Sequence, residues 1–113
     1  MELDAIISEL VESLKPADPL KIILFGSYAN GTAREDSDID LMVILNNDDV
    51  AKTFSERLQK KVYIRRLLQE TNKKIALDLQ VYSRAEFKTV QSLGNSFITE
   101  IEDTGRILYE RAG

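Results

Sequence analysis

The sequence predicts an α/β (α+β) domain of 113 residues, a small sheet flanked by helices. Three observations carry this. Two apolar runs, Ile22-Ile23-Leu24-Phe25 and Leu41-Met42-Val43-Ile44-Leu45, have the length and β-branched character of buried strands. A third segment, residues 75–82, alternates Ile75, Leu77, Leu79 and Val81 with Ala76, Asp78, Gln80 and Tyr82. Between and around these runs the apolar spacing turns helical.

Leu3, Ile6, Ile7, Leu10, Val11 and Leu14 recur at helical spacing among acidic residues, so the chain opens with an amphipathic helix. Pro16 and Pro19 end it. A short strand over residues 21–25 follows. Residues 26–37 are rich in Gly, Ser, Asn, Thr and Asp and read as a loop, with room for one helical turn over residues 28–32. The second strand covers residues 39–45, and residues 46–49 turn the chain. Residues 50–70 read as a helix with Phe54, Leu58, Val62, Ile64 and Leu68 on one broad face and Asn72 closing it. The third strand covers residues 75–82. Ser83 and Glu86 form a capping box for a helix to about Leu93. A short helix over residues 95–103 and an edge strand over residues 106–109 complete the chain.

Composition narrows the chemistry. Charged residues make up 30% and hydrophobic ones 43%, ordinary for a globular protein. No cysteine is present, which excludes disulfides and thiolate metal sites. No histidine is present, which removes the commonest general base and the usual zinc ligand. Catalysis would therefore run on carboxylates, hydroxyls, amines or metals. The net charge of −4 speaks against direct nucleic-acid binding, which needs clustered Lys and Arg. The N-terminus, Met1-Glu2-Leu3-Asp4, lacks the features of a signal peptide, and no apolar run approaches the ~20 residues of a membrane span. The expected setting is cytoplasmic, with no membrane partner.

The chemistry-bearing pattern is Gly26-Ser27, ten residues, then Asp38-Ile39-Asp40, with the glycine turn after one strand and the acidic pair at the start of the next. A P-loop would need Gly-Lys-Ser/Thr after the spacer, but Thr32-Ala33 follow Gly31. The G-x-G-x-x-G dinucleotide fingerprint is absent. A calcium loop starting at Asp36 would need Gly at Leu41 and Glu at Asn47. Asp36 reads as a solvated loop residue. Asp38 and Asp40 abut a buried strand, where carboxylates are costly unless they bind something. Residues two apart on a strand share a face, roughly 6.5 Å apart along the chain. Two carboxylates so placed can hold hard cations such as Mg²⁺ through oxygen. Two such ions about 4 Å apart can clamp the oxygens of an in-line displacement at phosphorus. Asp78 is the third carboxylate. It is either an exposed strand residue or, on the matching face, a completing ligand and proton acceptor.

Gly26-Ser27, Asp38-x-Asp40 and Asp78 together resemble the nucleotidyltransferase superfamily of DNA polymerase β. The small size is similar to the minimal nucleotidyltransferases, the antitoxin halves of HEPN/MNT toxin–antitoxin pairs. The ending, Ile101-Glu102-Asp103-Thr104-Gly105-Arg106-Ile107-Leu108-Tyr109, is also similar to theirs. The resemblance implies a nucleotidyltransferase fold with a small mixed sheet. It also implies catalytic and metal-binding roles for Asp38, Asp40 and Asp78 around Mg²⁺, two ions, with ATP as substrate. Gly26 and Ser27 would hold the triphosphate through main-chain amides and the hydroxyl. Many relatives carry Arg where this chain has Asn30, which can hydrogen-bond a phosphate or ribose but cannot neutralise charge; Arg34 is near enough in sequence to substitute. Lys61 and Arg65 have two open placements: in the cleft, neutralising phosphate charge, or snorkelling and pairing at the helix surface.

The resemblance implies AMP transfer from ATP to a hydroxyl, a tyrosine of a HEPN ribonuclease toxin encoded nearby. Two alternatives are a small-molecule, aminoglycoside-type transferase and an antitoxin that acts by steric occlusion alone. The size of the chain leaves no separate acceptor-binding domain, which favours a protein acceptor. Tyr63 and Leu67, off the main helix face, mark a potential subunit contact and hence a homo-oligomer.

Overall fold

The computed structural model describes residues 2–112; Met1 and Gly113, the ends of the expected 1–113 domain, lie outside the described residues. Its elements run α1 (Leu3–Leu14), β1 (Pro19–Phe25), α2 (Ser27–Asn30), β2 (Ile39–Leu45), α3 (Phe54–Leu67), α4 (Gln69–Lys74), β3 (Leu77–Ser83), α5 (Arg84–Ser92), α6 (Ser96–Thr104) and β4 (Arg106–Glu110). A 3-10 turn over Lys15–Ala17 follows α1, and Asp18, at φ 52°, reverses the chain into β1.

The strands form one mixed sheet in the order β3-β2-β1-β4. β1 pairs antiparallel with both β2 and β4, and β2 pairs parallel with β3. A parallel pair needs a crossover connection, and α3 and α4 provide it. The two central strands are buried on both faces, which explains why β1 and β2 read as continuous apolar runs.

The alternation of side chains divides the core in two. One layer joins Ile22, Leu24, Leu41, Val43 and Leu79 to Ile6, Leu10 and Leu14 of α1 and to Ile64 and Leu68. The other joins Ile23, Phe25, Met42 and Ile44 to Ile98 and Ile101 of α6, with Phe87 and Val90 of α5 against it. Burying each such aliphatic side chain contributes about 1.5–3 kcal/mol.

The helical stretch after β2 departs from the expected single stripe. α3 begins at Phe54 because Thr53 and Glu56 close a capping box, with Glu56 N donating to Thr53 Oγ1 at 3.1 Å and Thr53 N to Glu56 Oε2 at 3.2 Å. That Thr-x-x-Glu signal was present in the sequence. Of the expected face only Ile64 and Leu68 reach the core, while Phe54 is 79% and Leu58 48% exposed. The helix breaks at Leu68 and resumes as α4 to Lys74, two residues beyond Asn72. Leu67, expected off the core face, packs against it, whereas Tyr63 is exposed.

Glu86 ties these parts together. Its capping box with Ser83 is present, Ser83 N donating to Glu86 Oε1 at 2.9 Å and Glu86 N to Ser83 Oγ at 3.1 Å. The same carboxylate also accepts from Ala51 N at 2.9 Å and Lys60 Nζ at 2.8 Å. Burial alone would raise the Glu86 pKa, but Lys60 and the Ser83 and Ala51 amides outweigh it and bring it to about 2. Because the folded value lies below the unfolded one, the stabilisation is complete above the ordinary glutamate range and is lost as pH falls toward 2. Glu86→Gln should therefore destabilise the fold by about 2 kcal/mol at pH 7 in urea titration, with the difference from wild type shrinking in acid.

Candidate active site

Gly26 follows β1 in a conformation reserved for glycine, φ 73° and ψ −153°. A side chain there is excluded twice over. A Cβ would land on the Asp40 carboxylate oxygen and come within 3.0 Å of its Cγ. The turn thus exists so that backbone and carboxylate can approach each other. Ser27 opens α2, whose first amides have no carbonyl of a preceding helical turn to bond. Gly26 O accepts instead from Ala29 N at 3.0 Å and Asn30 N at 3.1 Å, and Gly31, at φ 82°, ends the turn. Arg34 and Ser37 then fold the loop back through Ser37 N to Arg34 O at 3.0 Å and Arg34 N to Ser37 Oγ at 2.8 Å. This delivers Asp38 to the mouth of β2.

Asp40 pairs with Phe25 across β1 and with Asp78 across β3. Register partners share a sheet face, so Asp40 and Asp78 stand together on the side that α5 and α6 cover further along. Burial pushes the Asp40 carboxyl above its ordinary range, and the nearby charges of Asp78 and Asp38 push it further. The structure thus brings together Gly26, Asp38, Asp40 and Asp78. Asp38 and Asp78 are exposed and Asp40 is partly covered. No ion pair among the described residues neutralises any of the three.

The other expected residues divide. Asn30 lies beside Gly26, on a cavity that it shares with Phe25 and Phe97. Its Oδ1 already accepts from Thr32 N at 3.1 Å and Thr32 Oγ1 at 2.6 Å, which leaves its amide as the donor. Lys61 and Arg65 belong to α3, which docks through Ile64 on the opposite sheet face from Asp40. Arg65 borders a shallow depression with Val62, Arg66, Gln69 and Asn72 that includes none of the aspartates. Lys61 is half-buried.

Carboxylates without an ion-pair partner, two of them pushing up the proton affinity of Asp40, form a donor set suited to a hard, oxygen-preferring cation. Among the described residues, however, no three acidic side chains are already gathered at the spacing of one ion. The chemistry of the residues fits Mg²⁺.

The model of the Nucleotidyltransferase domain family matches residues 4–108. The chain belongs to this family. Among curated proteins, the chain is 50% identical over 48 residues to a protein of Methanocaldococcus jannaschii provisionally named a protein adenylyltransferase. That match covers 40% of this chain and 33% of the relative, so the chain matches about a third of that protein's length. Three solved structures share the fold of this chain. One is a toxin–antitoxin complex with AMP-PNP, at TM-score 0.58 and 19% identity, covering 93% of this chain and 73% of that one. Another is a provisionally assigned nucleotidyltransferase from Sulfolobus solfataricus, at TM-score 0.57 and 15% identity, covering 95% and 79%. The third is a tri-AMPylated Shewanella oneidensis HEPN toxin in complex with MNT antitoxin, at TM-score 0.53 and 16% identity, covering 96% and 72%. The expected nucleotidyltransferase fold is therefore the one the chain adopts. No helix among the described residues is long and apolar enough to cross a membrane.

Proposed function

We propose that this nucleotidyltransferase moves AMP from ATP onto a tyrosine of a HEPN-family toxin and so acts as its antitoxin. The observation that carries the reading is the Asp40–Asp78 register pair with Asp40 seated against side-chain-free Gly26. It sets a side-chain-free turn directly against a cluster of unneutralised carboxylates. The family match supports the reaction class, and the toxin–antitoxin complexes that share the fold support the acceptor class.

In this reading the Ser27 amide and hydroxyl hold the triphosphate beside Gly26. Asp38, Asp40 and Asp78 would hold Mg²⁺, which when bound supplies neutralisation of phosphate charge. The acceptor oxygen forms a bond to the α-phosphorus as the bond to the β-phosphate breaks, and pyrophosphate leaves. Asp78, exposed at the edge of the cluster, takes the proton from the acceptor hydroxyl. No step is assigned to Lys61 or Arg65, which lie on the helix across the sheet.

The test mixes the chain with the protein encoded beside it, ATP and Mg²⁺, and weighs both intact. AMP-sized gains on a tyrosine of the neighbour, lost with Asp38→Asn, are expected. Neutralisation that survives Asp38→Asn without any gain in mass would establish occlusion instead. Modification of a small molecule with the neighbour unchanged would establish an antibiotic-type enzyme.

A further inference from the structure

Beside Gly26 lies a cavity of about 220 Å³ that the reading above leaves without an occupant. Its lining comes from the end of β1 (Phe25, Gly26), from Asn30 and from one face of α6 (Phe97, Glu100, Thr104). The cavity borders the site through Phe25 and Gly26. Phe25 is the cross-strand partner of Asp40, and Gly26 is the residue against which the Asp40 carboxylate rests.

The α6 wall is built rather than accidental. Phe97, Glu100 and Thr104 recur at spacings of three and four, which align them along one helix face. Ile98 and Ile101 dock the adjacent face into the core. Asn95 caps the helix by accepting from Phe97 N at 2.8 Å, which fixes the first turn. The Phe97 ring meets Phe25 edge to face, with centroids 5.6 Å apart at 85°, and yet stays 40% exposed. A large ring so held and still open to a cavity is a stacking surface. Glu100, in no ion pair among the described residues, offers only acceptors, and the Asn30 amide offers donors.

We propose that this cavity takes the purine base of the nucleoside triphosphate, with Phe97 stacking on the ring and Glu100 and Asn30 meeting its polar edge. The inference rests on the nucleotidyl-transfer reading and adds to it the residues that hold the base. A flat aromatic ligand with donors and an acceptor on one edge matches the lining, and the base is the only part of ATP with that chemistry. The phosphates then run from the cavity past Gly26 to the aspartates.

The experiment is calorimetric titration of ATP and, separately, of inorganic triphosphate, each with Mg²⁺, into wild type, Phe97→Ala and Phe97→Trp. Loss of base stacking should weaken ATP binding about tenfold or more in Phe97→Ala. Triphosphate, having no base, should bind wild type and Phe97→Ala alike, and Phe97→Trp should keep ATP affinity. Equal weakening of ATP and triphosphate would reduce Phe97 to a structural role and overturn the proposal. Unchanged ATP affinity with lost transfer in Phe97→Ala would assign the cavity to the acceptor, overturning the proposal while leaving the transfer reading intact. A wild-type chain that binds neither ligand would overturn both.

Discussion

Gly26→Ala is expected to abolish nucleotidyl transfer while the chain still folds. Two independent effects combine at this position. The backbone lies where only glycine is comfortable, φ 73° and ψ −153°, so any side chain adds strain of about 1–3 kcal/mol. The new methyl group would also occupy the space of the Asp40 carboxylate, whose Cγ is 3.0 Å from the ideal Cβ position. One of the two must move, and either movement separates the turn from the acidic cluster. A displacement of about 1 Å in a reacting site can cost a hundredfold in rate. Thermal melting should show a lowered Tm with a cooperative transition, and transfer should fall by at least about a hundredfold. Gly31, also at positive φ but with open space around it, gives the comparison: Gly31→Ala should share the strain and retain most of the transfer.

Asp40→Asn should separate activity from stability in opposite directions. Asparagine keeps the shape and discards the charge that the proposed transfer requires, so transfer should drop by about a hundredfold or more. The fold should gain. Burial and the charges of Asp78 and Asp38 hold the Asp40 carboxyl above its ordinary range. A group whose folded pKa is raised favours the folded state at low pH and loses that contribution as pH rises through the folded value. At neutral pH the wild type therefore carries an unfavourable charge that Asp40→Asn removes. The variant should melt higher than wild type at pH 7, and the gap should close as the pH is lowered into the carboxylate range. This is the trade of stability for activity expected at a charged site.

Much of this architecture was legible in the sequence, for identifiable reasons. β2 appears at residues 39–45 as expected, because a central strand buried on both faces leaves an uninterrupted apolar run from Leu41 to Leu45. The Ser83–Glu86 capping box was readable because both members are local. The remaining partners of Glu86 were not, since Ala51 and Lys60 lie 35 and 26 residues away and meet it only in the folded chain. The same distinction governs the site. Alternation along β3 set Asp78 off the apolar face, but its alignment with Asp40 depends on how α3 and α4 carry the chain back beside β2. Helical spacing misled at Phe54 and Leu58. Only the second half of α3 docks on the sheet, so its first half repeats the apolar spacing without a surface to bury it. That docking also sets α3, with Lys61 and Arg65, across the sheet from Asp40. Phe97 and Glu100 were not singled out, because nothing local distinguishes a helix face on a cavity from one in solvent.

The central claim is that Gly26, Ser27 and the three aspartates form a nucleotidyl-transfer centre. Labelled ATP tests it most directly, with the label on the α-phosphate in one reaction and on the γ-phosphate in another, each incubated with Mg²⁺ and the neighbour-encoded protein. The predicted result is α-label on the acceptor, no γ-label, and loss of the α-label in Asp40→Asn. Transfer of the γ-label, or of the α-label by Asp40→Asn at the wild-type rate, would contradict it.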